Sequence, residues 1–338
     1  MKKLSALIFV FLVSIGSRAQ NDIDVFLAAG IEDAQRFAND YLAPGAEGLM
    51  HSMNANWFNT AKVKPLGGFE ISIIASASMV KDEHKMFRLN AADYKNVAFV
   101  EGGSSQMVAT VLGENDPTIF VEITYDDPIF GEQKTEIEIP QGIGSSSKNL
   151  LPTAFIQGAV GLSSGLELKA RFVPEIKTDE VSISMYGAGV QMEFTQWFPA
   201  GNMWPVAVSG LVAYNHLDGS YDVTESSGIE GENQRLDNNT NTWLFQLLAS
   251  TKLPIINFYG GIGYIKGTSE SDLLGSYRVK TDLLSTETIM DPFSVTSKVS
   301  DVRASVGARL KLGFFRLNAE YHLSEFNAFS VGMNFGFK

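Results

Sequence analysis

Several stretches of this 338-residue chain carry residue types that could do chemistry. Gly161-Leu162-Ser163-Ser164-Gly165 fits G-x-S-x-G, in which a sharp strand-to-helix turn lifts a serine hydroxyl for nucleophilic attack. Strand-like alternation lies on both sides, over 153–162 and 165–173, so no helix follows and Ser163 and Ser164 read as turn residues. Gly260–Gly267 shares only its glycine content with a dinucleotide-binding loop, because the spacing is wrong and again no helix follows. Its glycines suit a strand that bends or clears a lumen.

The histidines are His51, His84, His216 and His322, and none pairs with another at metal-ligand spacing. His322 shares a polar strand face with Glu320 and could be half of an acid–base pair if a serine stood opposite; a polar lining residue is the simpler reading. Asp218, Asp222, Glu225, Glu230, Glu232 and Asp237 offer oxygen ligands at intervals that could hold Ca²⁺. They lack the EF-hand spacing and read as a solvated acidic loop. The chain has no cysteine, which excludes disulfides, thiolate zinc sites, thiol nucleophiles and a lipoprotein acyl anchor. The expectation is a protein with no catalytic residues, no metal and no cofactor.

The elements that carry these residues are strands. Val302, Ala304, Val306, Ala308, Leu310 and Leu312 alternate with Arg303, Ser305, Gly307, Arg309 and Lys311. Phe315 to Leu323 alternate with Arg316, Asn318, Glu320 and His322, and Phe329 to Phe337 with Ser330, Gly332, Asn334 and Gly336. Alternation this long gives strands with one apolar and one polar face, at the roughly 9–11 residues a membrane-spanning strand needs. Further strands are expected at 153–162, 165–173, 182–198, 205–214, 241–252 and 256–266, and one at 69–80. The links sort by parity. Those at 313–314, 253–255, 199–204 and 163–164 are short, whereas 324–326, 267–300, 215–240 and 174–181 include the two longest and most polar. A barrel with short periplasmic turns and longer outer loops sorts its loops this way. Trp197, Phe198 and Trp204 at a short turn fit an aromatic girdle.

The expected fold is therefore all-β: an antiparallel transmembrane β-barrel over 67–338 with about 14 strands. That count takes in short candidates near 95–101, 106–112, 118–125 and 133–139. Twelve strands, with a hairpin built into an outer loop, is the alternative. A charge on the lipid face costs up to about 2–4 kcal/mol at mid-membrane, so Glu167, Lys169, Arg171, Arg303, Arg309, Lys311, Arg316, Glu320 and His322 should line the lumen. The last strand should pair with 69–80 to leave no open edge. Phe335 and Phe337 are expected to form the terminal signal read by barrel-assembly machinery.

Residues 1–19 have a basic start, an apolar run and small residues at Ser17 and Ala19, the pattern of a secretory signal cleaved near Ala19. Beyond them no run is long and apolar enough for a membrane helix. Residues 20–66 place Leu27, Ile31, Ala34, Ala38 and Tyr41/Leu42 at helical spacing, with Pro44 and Gly45 expected to end the helix. A barrel has a lumen to fill, so this segment is expected as a plug, packing below the barrel being the alternative. Its apolar residues Phe26, Leu27, Phe37, Tyr41, Leu42, Met50, Met53, Trp57 and Phe58 are the candidate contacts for an apolar substrate.

The blocks "DAQRFANDYLAPGAEGLMHSMNANWFNTAKVKPLGGFEI" and "GLSSGLELKARFVPEI…MYGAGVQMEFTQWFPAGNMWPVAVSGLVAYN" resemble an uncharacterised group of Bacteroidetes outer-membrane proteins. The order of plug, barrel and aromatic terminal strand is similar to the long-chain fatty-acid transporter family. That resemblance implies a fourteen-stranded barrel with an N-terminal hatch that passes hydrophobic molecules. The expected location is a Gram-negative outer membrane, and the expected partners are its lipid, the assembly machinery and an apolar small molecule. The formal charge of −12 argues against nucleic acid. Alternatives are an interaction barrel serving a secretion system and an exported soluble β-sandwich.

Overall fold

The computed structural model describes residues 25–127, 131–144, 149–163, 165–199, 203–223, 230–280 and 286–337. The expected signal segment and its cleavage site lie outside these. After a short 3-10 turn at Val25–Ala29, helix α1 runs from Ile31 to Met53. Strand β1 (Phe69–Met79) follows, then five short strands, β2 (Met86–Asn90), β3 (Val97–Phe99), β4 (Ser105–Ala109), β5 (Phe120–Asp127) and β6 (Gly131–Glu138). The rest is long strands: β7 (Leu150–Ser163), β8 (Leu166–Lys177), β9 (Val181–Glu193), β10 (Val206–Asp222), β11 (Gly231–Thr251) and β12 (Ile256–Lys280). After the short β13 (Thr286–Met290) come β14 (Phe293–Leu312), β15 (Phe315–Leu323) and β16 (Ala328–Phe337).

Ten of these strands close into an antiparallel barrel. β1 pairs with β7 on one side and β16 on the other, the chain continues strand to neighbouring strand through β12, β14 and β15, and the β11–β12 pairing completes the ring. Phe69–Ser78 pair with Ala328–Phe337, so the expected first-to-last closure is present. Closure also excludes an open sandwich. β13 pairs only with β12 and stands outside the ring.

The count of about 14, like that of 12, is corrected to ten plus one outside. The short candidates over 81–152 pair with each other, β2 with β4 and β3 with β5 and β6. At 3 to 8 residues they are too short to span. They fold over one end of the barrel as a head. The long links expected at 215–240 and 267–300 are also corrected, because most of their length extends β10, β11, β12 and β14. There the outer face turns polar and the inner face mixes serines and threonines with buried Leu217, Leu273, Phe293, Val295 and Val299. The apolar face changes side and the period loses its phase, while the backbone ladder continues, Asp218 opposite Asn239 and Glu270 opposite Thr296.

The outer face records where that change occurs. On β12 it reads Ile256, Phe258, Gly260, Ile262 and Tyr264, then Lys266, Thr268, Glu270 and Asp272. On β11 Ala249, Leu247, Phe245 and Trp243 give way to Asn241 and Asn239, and on β10 Val212 and Tyr214 to His216 and Asp218. On β14 Val306 and Val302 give way to Ser300, Lys298 and Thr296. Tyr214 and Trp243 meet at this border with ring centroids 5.0 Å apart. At the other border Phe69 stacks on Phe337 at 5.2 Å and Phe198 lies 5.7 Å from Trp204. Nine apolar-faced residues, tilted as barrel strands are, span roughly 20–25 Å, which fits a hydrocarbon core. The inner face is the reverse: Arg171, Arg303, Glu167, Glu320 and Gln191 are each 1–3% exposed, whereas Val302 and Ile262 are 75% and 64% exposed.

Helix α1 does not stop at Pro44. It passes through that residue and ends at Met53, with Asn54 as its cap. A proline inside a helix costs about 3 kcal/mol. Full burial of Phe37, Tyr41, Met50 and Met53, at about 1.5–3 kcal/mol each, outweighs it.

Val306→Arg, mid-belt on the outer face, should destabilise the barrel by about 2–4 kcal/mol, and Thr296→Arg, on the same face beyond the belt, by under about 1 kcal/mol. Reversible urea unfolding into lipid vesicles measures both, and equal costs would mean that no apolar belt exists.

Candidate functional site

Residues 48–67 run down the lumen, and their polar groups are met by the wall at each level. The C-terminal carbonyls of α1 have no partner within the helix. Arg171 of β8 donates to Met53 O and Ala55 O, both at 2.8 Å, and Arg303 of β14 donates to Asn54 O at 2.9 Å. Two guanidiniums thus cap the negative end of the helix dipole, where cations are favoured. Arg171 is held in turn by Gln157, whose Oε1 accepts at 2.8 Å, and it lies 4.2 Å over the Trp57 ring. Trp57 itself needs Gly187 and Gly189, since a Cβ at either would come within 3.2 Å of the indole.

Below the helix the chain loses regular structure, and side chains take over its hydrogen bonds. Asn54 donates to Thr242 (3.0 Å) and accepts from Asn215 (2.9 Å). Asn56, in the left-handed region at φ 54°, donates to Ser330 (3.2 Å) and accepts from Asn318 (3.1 Å). Asn59 donates to Glu70 (3.0 Å) and Asn334 (3.1 Å) and accepts from Arg309 (3.0 Å). Lower still, Val63 N donates to Glu193 (3.0 Å) and Lys64 N to Glu167 (2.9 Å). Glu167 also pairs with the Lys64 ammonium at 3.2 Å and with Lys169 at 2.9 Å. Glu70 pairs with Arg316.

Of the expected lining residues, Glu167, Lys169, Arg171, Arg303, Arg309, Glu320 and His322 face this plug, Arg316 sits partly buried near the short-turn rim, and Lys311 is exposed at that rim. The expected substrate contacts divide. Met50, Met53, Trp57 and Phe58 lie in the lumen. Phe26, Leu27, Phe37, Tyr41 and Leu42 pack under the head with Val108, Val121 and Ile123. Phe335 and Phe337 face outward on β16 against Phe315 and Phe69. The asparagines 54, 56 and 59 were not singled out in the sequence, although their spacing in a segment without strand or helix pattern marks side chains that serve a backbone.

A serine does stand by His322: Ser330 Oγ is 3.1 Å from Nε2, and Glu320 Oε1 is 3.4 Å from Nδ1. This is not a nucleophile triad. Arg303 donates to Nδ1, and an arginine cannot accept. The imidazole therefore carries its proton on Nε2 and donates to Ser330, the reverse of a general base. Ser330 is 0% exposed and also takes a hydrogen bond from Asn56, so the cluster holds the plug. Ser163 begins a strand-to-strand turn; Ser164 lies outside the described residues. The loop carboxylates have partners of their own, Asp218 with His216 (2.9 Å), Asp237 with Arg235 (3.1 Å) and Glu230 with Arg278 (3.3 Å); Glu225 is not among the described residues. Among the described residues, Glu83, His84 and Glu325 bring three possible metal ligands within 4.8 Å, with the Lys81 ammonium 3.3 and 3.5 Å from the two glutamates.

Above the seal a cavity of about 280 Å³ lies between α1, the head and the wall. Leu42, Leu49, Val111, Leu112, Ile143, Leu151 and Leu217 make it apolar, and Ser182, Ser220, Asn238 and Ser271 give it a polar side. That composition suits a small apolar molecule with one polar end. A larger hollow, about 890 Å³, indents the outer face of the belt between Ile71 and Val212 and is not part of the lumen. On α1 near the mouth, burial pushes the Glu47 carboxyl above its ordinary range, and the Asp301 and Glu325 charges add to the shift.

Arg171→Met removes the cap and strands two buried carbonyls, so it should cost about 3–5 kcal/mol in urea unfolding, with little recovery in Arg171→Lys because one ammonium cannot span both acceptors. A carboxyl raised in the fold contributes stability below its unfolded pKa and loses it as pH rises through the folded value. Between about pH 4 and 7 the Tm of the wild type should therefore fall more than that of Glu47→Gln. Parallel curves would show that Glu47 is not perturbed.

The sequence profile of a family described as "Family of unknown function (DUF6588)" matches residues 1–337. No curated protein matches the chain. Among solved structures, the β-domain of the Bordetella autotransporter BrkA is similar at 10% identity and TM-score 0.34, over 80% of this chain and 100% of that one. The outer membrane transporter YddB from Escherichia coli is similar at 10% identity and TM-score 0.31, over 81% of this chain and 42% of that one. The transport unit of the autotransporter AIDA-I from Escherichia coli gives 9% identity and TM-score 0.31, over 89% and 99%. Likenesses this low carry no functional argument.

Proposed function

The chain belongs to the DUF6588 family, and we propose that it is an outer-membrane β-barrel that captures small hydrophobic molecules at its outer mouth and passes them by shifting its plug. The observation that carries this reading is the placement of an apolar cavity inside a barrel whose outer belt is apolar and whose lumen below is sealed. The belt supports membrane residence, because a soluble protein has no reason to expose Ile71, Ile262, Val302, Val306 and Phe337 together while burying arginines and glutamates. Short turns lie at one end and the head and the strand extensions at the other, an arrangement that supports a head outside the cell and a cavity on the side from which a substrate would come.

The seal limits what can pass. Lumen-facing side chains from Glu167 to Asn334 are buried against the plug, so an open aqueous pore is not the resting state. Passage requires residues 48–61 to move, or a lateral exit from the cavity through the wall. Leu49 and Leu217 face the cavity from helix and wall. Organic extraction of purified protein followed by mass spectrometry should recover an apolar compound from the wild type and much less from Leu49→Trp, which fills the cavity. Equal recovery from both, or none beyond the detergent blank, would remove hydrophobic-molecule capture from the proposal.

A further inference from the structure

We infer that this barrel carries its own N-terminal segment across the membrane and displays it at the head. The inference rests on the membrane-barrel reading and on the direction in which the plug runs. Strand β14 serves as a ruler, since it starts at the head with Phe293 and ends at the short-turn rim with Leu312. Gln35 donates to Ser294 O (2.7 Å), His51 lies 3.3 Å from Asp301, Asn54 O accepts from Arg303, and Asn59 accepts from Arg309. Plug and strand numbers rise together, so the plug descends parallel to β14, from head to short turns.

Both ends of the descent are fixed. At the top, the Asp33 carboxylate accepts from Lys95 N and Asn96 N at 2.9–3.1 Å, and Phe37 stacks on Phe26 at 4.1 Å beneath Phe87 of the head. At the bottom, Gly67 N donates to Gly161 O at 3.0 Å, beside the turn that joins β7 to β8. From there β1 climbs back. Ten strands return the chain to the end where β1 began, which is also where β16 ends. The lumen segment adds one further crossing, so Val25 and Phe337 lie on opposite sides of the belt. If cleavage falls near Ala19, the few residues before Val25 reach at most about 20 Å, too short to return through the barrel. A chain exported to the periplasm must therefore send its N-terminal segment outward through the closing ring, and the two-way hydrogen bonding of Asn54, Asn56 and Asn59 holds it there.

The test places one epitope tag in three separate variants: after Asn21, after Gly103 in the head and after Gly313 in the β14–β15 turn. Antibody binding is compared on intact and permeabilised cells, alongside membrane fractionation. The expected result is that the Asn21 and Gly103 tags are stained on intact cells and the Gly313 tag only after permeabilisation. An Asn21 tag that needs permeabilisation while the Gly103 tag does not would overturn the inference and leave the barrel reading standing. Staining of only the Gly313 tag on intact cells would also overturn it, by reversing the orientation. Recovery of the protein in the soluble fraction would instead sink the barrel reading and the inference with it.

Discussion

Filling the lumen is the constraint on which the rest of this structure depends. A closed ring satisfies the backbone of every strand within the hydrocarbon, where an open edge would not survive. Ten strands, however, leave an interior wider than the wall's own side chains fill. A second piece of chain must enter, and it brings peptide groups that need partners. Arg171, Arg303, Glu167 and Glu193 supply them to the backbone, and Asn215, Asn318 and Asn334 to its side chains. Arg171, Arg303, Glu167 and Glu193 therefore point inward to serve the backbone of the plug.

The same constraint shapes the function. Sealing by specific hydrogen bonds at each level makes the resting barrel closed, in contrast to a porin whose lumen is water. The helix above the seal has less to bond with, and there it turns apolar residues toward the head and leaves the cavity. The cavity and the seal are therefore stacked along one segment: Tyr41, Leu42, Gly45, Ala46 and Leu49 line the cavity, and Asn54 to Lys64 hold the seal.

Much of the wall was legible in the sequence. Alternation in 301–337 matches the inward and outward faces of β14, β15 and β16 except at the short-turn rim, where Lys311 is exposed, because a charge on the lipid face is costly and one facing the lumen is not. Loop parity identified the short-turn end. The strand count was not legible. β-propensity in Val97–Phe99 or Phe120–Asp127 does not say which partner a strand takes, and these found each other rather than the ring. The extensions beyond the belt were missed because the apolar residues change from the outer face to the inner one there, Val302 and Val306 outside but Phe293, Val295 and Val299 inside, and the inner face is interrupted by serines and threonines. Helix α1 outran Pro44 because tertiary burial exceeded a local cost. The plug's direction was the least legible feature of all, since it resides in pairings such as Asn59 with Arg309, 250 residues apart.

Ser52 on α1 and Ser78 on β1 place their hydroxyls 2.7 Å apart inside the barrel, and the chain has no native cysteine. The most direct test of a plugged membrane barrel is therefore the thiol content of Ser52→Cys/Ser78→Cys protein taken from the outer-membrane fraction under oxidising conditions. A helix seated in the lumen predicts a disulfide, with neither thiol open to alkylation until reductant is added. Two freely alkylated thiols in membrane-embedded protein, or recovery of the protein without detergent, would contradict it.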